Sequence, residues 1–177
     1  MAGENGRMKV FGIAGRSGMG KTTLLEKLIP CLRERGLTVS LIKHSHKDIQ
    51  VDHPAKDSFR LREAGSQEVL LLGRTRWALM HELRGDPEPP LDYLLSRIQR
   101  CDIVLVEGFK SGDFPKLEVF RPAVGKPPLW PEWPGIVALA SDEAVPGAPM
   151  PVLALTDIGA IADLIQSQAV ALAAPPG

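Results

Sequence analysis

The sequence predicts an open, mainly parallel α/β sheet with helices on both faces, and three observations predict it. Gly15-Arg16-Ser17-Gly18-Met19-Gly20-Lys21-Thr22 matches the spacing G-x-x-x-x-G-K-[ST] of a loop that holds nucleotide phosphates. A short apolar run leads into that loop and a helical pattern leaves it, which is the context the motif requires. Further apolar runs then alternate with helix-period segments, the order that builds parallel sheets. Together these place the chain in the P-loop NTPase class.

The elements follow in order. Met8-Lys9-Val10-Phe11-Gly12-Ile13-Ala14 reads as a buried first strand. From Thr22 to Ile29 the apolar residues fall at helical spacing, and Arg33-Glu34-Arg35-Gly36 supplies the positive charge and glycine that end a helix. Leu37–Ile42 is the second strand, so strand, helix and strand form a crossover unit whose strands are parallel and whose connection is right-handed. Lys56–Ala64, closed by Gly65, is a predicted helix, and Glu68–Leu72 a predicted strand. Asp86-Pro87-Glu88-Pro89-Pro90 interrupts regular structure, and Leu91, Leu94, Leu95 and Ile98 then mark a helix over 91–100. Ile103-Val104-Leu105-Val106 is continuously apolar, as a central strand covered on both faces should be. The proline-rich 122–134 stretch, with Trp130 and Trp133, is unsuited to sheet interior and offers a surface for partners. Strands over 136–140 and 151–155 and a helix over 158–172 complete the chain.

Composition narrows the function. At 177 residues the chain suits one nucleotide-binding domain, Met8–Leu172, between a loose extension at 1–7 and a frayed tail at 173–177. Lys plus Arg and Asp plus Glu both total 21, so no global field draws it to nucleic acid or an anionic membrane. No apolar run approaches the ~20 residues of a membrane span. The polar N-terminus has no signal-peptide core, so a cytoplasmic location is expected, and Cys31 and Cys101 are expected as free thiols.

The loop residues have distinct tasks. Gly15, Gly18 and Gly20 permit positive φ, letting successive N–H groups, with those of Ser17, Met19, Thr22 and Thr23, curl around phosphate oxygens. Lys21 places a point charge on the terminal phosphates, and the Thr22 hydroxyl suits Mg2+, a hard cation that prefers oxygen. In an open α/β sheet the ligand lies at the carboxyl ends of the strands, which singles out Glu107 and Gly108 after the apolar run at 103–106. Glu107 is the candidate to hold Mg2+ through its water or to orient an attacking water; Gly108 allows close backbone approach to a γ-phosphate. Asp142 follows a later strand, where a carboxylate can accept from the N1 and N2 donors of guanine, although no Asn-Lys-x-Asp motif is present to select that base. His44 and His46 lie after the second strand with Asp48, Asp52 and His53 nearby. Their number and spacing make a weak zinc signature, and a phosphate-sensing segment is the better functional reading.

These residues together resemble a known family. The phosphate loop, Lys43-His44-Ser45-His46, Lys56 to Gly65, Arg76-Trp77-Ala78-Leu79-Met80 and Val106-Glu107-Gly108-Phe109-Lys110 occur in the order of the molybdopterin-guanine dinucleotide biosynthesis protein B (MobB) family, over roughly residues 8–121. The resemblance implies a homodimeric, GTP-binding adapter with weak GTPase activity that assists the guanylyltransferase attaching GMP to molybdopterin, a molecule it either contacts itself or leaves to that partner. It also brings Asp57 into the nucleotide site, although Ala55 stands where the family pattern has glycine before Lys56. Arg16 lies where one branch of dimeric phosphate-loop proteins carries a lysine that reaches a phosphate, giving it a catalytic role if it does the same. No glutamine or other evident water-positioning group follows Glu107, which accords with slow hydrolysis. The competing readings are a small-molecule kinase or ATP-dependent ligase, with Lys43 to Arg62 lining an acceptor pocket, and an interaction module with a vestigial loop.

Overall fold

The computed structural model describes residues 8–45, 47 and 49–172. The expectations placed on 1–7, 173–177, His46 and Asp48 lie outside the described residues. Thirteen strands and helices are named here from the described chain: β1 (Lys9–Ala14), α1 (Lys21–Glu34), β2 (Val39–Lys43), α2 (Asp57–Glu63), β3 (Glu68–Leu72), β4 (Trp77–His81), α3 (Leu91–Arg97), β5 (Ile103–Glu107), β6 (Lys116–Val119), β7 (Ile136–Ser141), β8 (Val152–Ala154), α4 (Ile158–Gln168) and β9 (Val170–Ala171). They form two compact units, one from the described residues of Met1–His44 and Leu91–Gly177, the other from those of Ser45–Pro90.

The first unit is built on a seven-stranded sheet ordered β2-β5-β1-β6-β7-β8, with β9 paired to β1. Every pairing along that path is parallel, and only β9 runs antiparallel. The period-2 alternation of β1 and β5 sends side chains to both faces. Phe11, Ile13, Ile103 and Leu105 pack on one face with Leu24, Leu25, Leu28 and Leu32 of α1 and Ile161, Ala162 and Ile165 of α4. Val10, Val104 and Val106 pack on the other with Leu95 of α3. The helices therefore cover both faces, as the unbroken apolar run in β5 requires. Both cysteines are free.

Strand β6 was not among the expected elements. Lys116-Leu117-Glu118-Val119 reads as an amphipathic, half-charged segment, yet all four residues are buried between β1 and β7. The two charges are satisfied internally. The Lys116 ammonium donates to the carbonyls of Gly112, Phe114 and Pro134 at 2.9, 3.2 and 3.1 Å, and the Glu118 carboxylate accepts from the backbone N–H groups of Leu129 and Trp130 at 2.7 and 3.0 Å. Gly12 is the matching feature in β1, since a Cβ there would stand 2.6 Å from Cγ of Lys116.

The last helix is also shorter than expected. It stops at Gln168, Ala169 turns to extended backbone at φ −59, ψ 133, and Val170 and Ala171 pair antiparallel with Val10 and Lys9. On that side β6 joins β1 only from Gly12 onward, so the opening of β1 has backbone groups to satisfy, and Val170 and Ala171 satisfy them. Helix α3 likewise ends at Arg97, short of Arg100.

The second unit carries the expected helix and strand, but the strand is not part of the parallel sheet. β3 and β4 form an antiparallel ribbon with Leu70 opposite Leu79 and Leu72 opposite Trp77. These four side chains are exposed, Leu72 by 80% and Trp77 by 62%. Arg62 of α2 pins the unit's polar side. Its guanidinium forks onto Asp52 at 2.6 and 3.3 Å, reaches Glu82 at 2.7 Å and lies over the Phe59 ring.

Candidate nucleotide-binding site

Register brings the first site residues together. Ile13, one residue before the end of β1, is level with Glu107 at the end of β5, and Lys43 at the end of β2 is level with Glu107 on the other side. Three adjacent parallel strands thus finish at one edge of the sheet, where β1 runs straight into the phosphate loop. Gly108 N–H donates to the Ile13 carbonyl at 3.4 Å and His44 N–H to the Glu107 carbonyl at 2.8 Å, tying the three strand ends into one rim. The His44 ring lies 4.9 Å from Phe109. Gly108 has φ +87, and a Cβ there would meet the His44 carbonyl oxygen at 2.8 Å, so only glycine fits between these strand ends.

The loop has the shape its sequence demands. Gly15, Gly18 and Gly20 have φ +140, +89 and +93, and Met19 N–H donates to the Arg16 carbonyl, curling the chain. Gly20 is the N-cap of α1, no side chain caps that terminus, and no acidic residue occupies its first turn. The first N–H groups of a helix lack intrahelical partners and carry the positive end of its dipole. Lys21, Thr22 and Thr23 supply the opening helical positions, and the space beyond Gly18 and Gly20 is open. An uncapped, positively polarised helix end behind a curled glycine loop is a fit for a phosphate group.

Lys21 folds back over the loop, its ammonium donating to the carbonyls of Gly15 at 2.7 Å and Arg16 at 3.2 Å. Glu107, almost fully buried, has Oε1 3.9 Å from Lys21 Nζ and Oε2 3.4 Å from Lys43 Nζ. Burial pushes the Lys21 pKa below the ordinary lysine range; Glu107 opposes this, while the ammonium groups of Lys43 and Lys126 add to it. The Glu107 carboxylate and the Thr22 hydroxyl are hard oxygen donors, the kind that suits Mg2+.

Other expected site residues are placed differently. The Met19 side chain is 1% exposed and turned into the core, its sulfur 3.4 Å from Arg121 N, so its contribution to a ligand is confined to its backbone. Arg16 donates from Nε to the Pro127 carbonyl at 2.7 Å and lies 3.9 Å from Glu132. Asp142, just beyond β7, accepts from Arg121 Nε at 2.7 Å. Asp57 belongs to the second unit, in the first turn of α2 and 4.0 Å from Arg60. Among the described residues, no group of three His, Cys, Asp or Glu side chains converges as a metal cluster.

The model for molybdopterin guanine dinucleotide synthesis protein B matches residues 10–142, from β1 to Asp142. The chain belongs to that family. It is 51% identical over 126 residues to the molybdopterin-guanine dinucleotide biosynthesis adapter protein of Haemophilus influenzae, covering 70% of this chain and 69% of that protein. It is 39% identical over 168 residues to the Escherichia coli adapter protein of the same name, covering 93% and 95%. A crystal structure of molybdopterin-guanine biosynthesis protein B superposes with a TM-score of 0.69 at 25% identity, covering 89% of this chain and 98% of that one. The mainly parallel sheet with helices is thus the P-loop NTPase fold as this family builds it.

The roles of two contributors to the site are invisible to motif spacing. Lys43 is legible as the polar end of β2 and the start of a family segment, but its place beside Glu107 comes from strand register. Lys126 sits in the proline-rich segment with no periodic signal, yet its ammonium donates to the Ser17 carbonyl in the loop at 2.7 Å. Trp130 and Trp133 of that segment are partly buried: Trp130 stands edge-on to Phe120 with ring centres 5.5 Å apart, and both tryptophans pack against the core.

Proposed function

We propose that this chain is a GTP-binding adapter in molybdopterin-guanine dinucleotide synthesis, acting beside the guanylyltransferase that attaches GMP to molybdopterin and turning GTP over slowly. The observation that carries the reading is the convergence of Lys21, Lys43 and Glu107 on an uncapped phosphate loop in a chain of this family.

In this reading the loop N–H groups of residues 15–23 and the Lys21 ammonium bind the phosphates, and Gly108 lets its backbone approach the terminal one. Thr22 and Glu107 hold Mg2+, which when bound offsets phosphate charge during phosphoryl transfer. Glu107 keeps Lys21 charged and directed at the loop. Asp142 reads guanine with the carboxylate oxygen that Arg121 leaves available. Arg16, engaged with Pro127, contributes to catalysis only by exchanging that partner for phosphate. Slow turnover accords with the lack of an evident water-positioning side chain after Glu107, and suits a protein whose bound state is what a partner recognises. The exposed Leu70, Leu72, Trp77 and Leu79 face of the ribbon supports self-association, in keeping with a homodimer. The balanced charge argues against nucleic acid as a partner and, with no helix among the described residues long and apolar enough to cross a membrane, supports a cytoplasmic adapter.

Competition binding tests the reading. Labelled GTP should bind with Mg2+, be displaced by GTP at lower concentration than by ATP, and be lost on Lys21→Ala. ATP displacing GTP equally well would favour a kinase or ligase instead. Turnover on the order of 1 s⁻¹ or faster without a partner would refute the adapter role.

A further inference from the structure

We propose that Lys126 is a phosphate-binding residue of this site, held beside the loop by the 121–134 segment, and that it engages the terminal phosphates of a nucleoside triphosphate. The inference rests on the nucleotide-binding reading above and adds to it a cation remote from the loop in sequence, 109 positions from Ser17.

The segment that carries Lys126 is built into the molecule. Its far half is anchored by the fully buried Glu118, whose two carboxylate oxygens accept from Leu129 N and Trp130 N. Leu129 is itself buried and Trp130 stacks edge-on to Phe120. Its near end begins at Arg121, where the backbone N–H meets the sulfur of Met19 from the loop. Between those anchors the segment touches the loop twice more, through Arg16 to the Pro127 carbonyl and Lys126 to the Ser17 carbonyl, both at 2.7 Å. Lys126 is therefore delivered to the tip of the phosphate loop by structure on either side of it.

What the ammonium does there is not explained by its bond to Ser17. A single solvent-exposed hydrogen bond returns less free energy than ordering a lysine side chain costs in entropy. An ammonium has three donors, and Ser17 uses one of them. The surrounding charge makes the remaining capacity significant. Lys21, Lys43 and Lys126 bring three positive charges to the loop's surroundings, Glu107 is the carboxylate paired with the first two, and Glu132 faces Arg16. Lys126 and Lys43 repel the Lys21 ammonium. A polyphosphate over the loop relieves that repulsion and gives Lys126 oxygens to bind while Ser17 retains its bond. Position favours the outer phosphates, since Ser17 lies in the turn of the loop ahead of Lys21, whose own charge falls on the terminal phosphates, and away from the helix that receives the inner ones.

The experiment is equilibrium binding of GTP, GMP and guanosine with Mg2+ to the full chain and to Lys126→Met, Lys126→Ala and Lys126→Arg, each with a thermal midpoint. Met keeps the aliphatic stem if Ala disturbs the segment. Met and Ala should weaken GTP about 10-fold and GMP no more than about 2-fold, leave guanosine unchanged, and leave the midpoint unmoved, with Arg close to the parent; one lost charge-assisted bond has that size. Unchanged GTP affinity in Lys126→Met would overturn the inference. So would an equal loss for all three ligands, which would make Lys126 a packing element of the segment. A parent chain that binds no GTP would refute the nucleotide-binding reading itself, a result distinct from either.

Discussion

Replacing Glu107 by glutamine separates the two tasks assigned to that residue. The carboxylate lies 3.9 Å from Lys21 Nζ and 3.4 Å from Lys43 Nζ. At an effective dielectric of about 20 the pairing with Lys21 is worth roughly 4 kcal/mol of attraction, whereas Lys43, more than half exposed, contributes at most about 1 kcal/mol after screening. Glutamine keeps the volume and avoids the several kcal/mol it costs to bury a carboxylate, so net stability should change by no more than about 2 kcal/mol. Binding should change more. Glu107 is the neighbour that raises the Lys21 pKa against burial, Lys43 and Lys126, so its loss lowers that pKa further. Lys21 binds phosphate only while protonated; GTP affinity in the parent therefore falls as pH rises through the Lys21 pKa, and in Glu107→Gln the fall should begin at lower pH. The variant should also bind GTP without Mg2+ as tightly as the parent or up to about 10-fold more tightly, because a negative charge beside the phosphates is gone, while losing most of the Mg2+-dependent gain. Titrations across pH 7 to 10 with and without Mg2+ would measure both. An unshifted alkaline limb together with an intact Mg2+ response would refute the assignment of Glu107 to either task.

Two further substitutions test the frame around the site. Gly15→Ala should cost more than Gly18→Ala by at least ~1 kcal/mol in denaturant midpoints: both residues have positive φ, worth about 1–2 kcal/mol, but only at Gly15 would the added Cβ meet a backbone oxygen, that of Val119 at 2.7 Å. Equal costs would mean the loop relaxes away from β6. Glu118→Gln should lose about 1–3 kcal/mol, since one amide oxygen cannot serve both Leu129 N and Trp130 N as the carboxylate does. Burial raises the Glu118 pKa above its ordinary 4.5, so between 4.5 and the raised value the folded chain holds a proton that the unfolded chain has released. Parent stability should therefore fall with rising pH through that window, and urea titrations of the variant should lack that component; an identical slope in both proteins would contradict the burial of this carboxylate.

The phosphate loop, the strand before it, the helix after it and the apolar β5 ending in Glu107 are all written locally. Each rests on spacing within one turn or one strand, so Gly15 to Thr22 and Ile103 to Glu107 are legible without knowing what lies beside them. The resemblance to the molybdopterin-guanine dinucleotide biosynthesis protein B family rests on the same local segments, and the match over residues 10–142 bears it out. Strand β6 shows where such reading stops. A lysine and a glutamate in a four-residue run argue for solvent, and they are buried only because carbonyls at Gly112, Phe114 and Pro134 and N–H groups at Leu129 and Trp130 come from elsewhere in the chain to meet them. The antiparallel ribbon of β3 and β4 and the closing pairing of β9 on β1 are likewise decisions about partners, which a strand's own composition does not specify.

Residue type and spacing therefore determined that this chain carries a phosphate-loop motif and where it lies. Tertiary structure decided what else stands around that loop: Lys43 through parallel register with β5, Lys126 through a segment anchored on Glu118, and Arg16 turned to Pro127. The division has a physical cause. A glycine's freedom or a helix's unpaired N–H groups are properties of a few consecutive residues, whereas the charge balance at a site sums over groups that only folding brings within a few ångströms of one another.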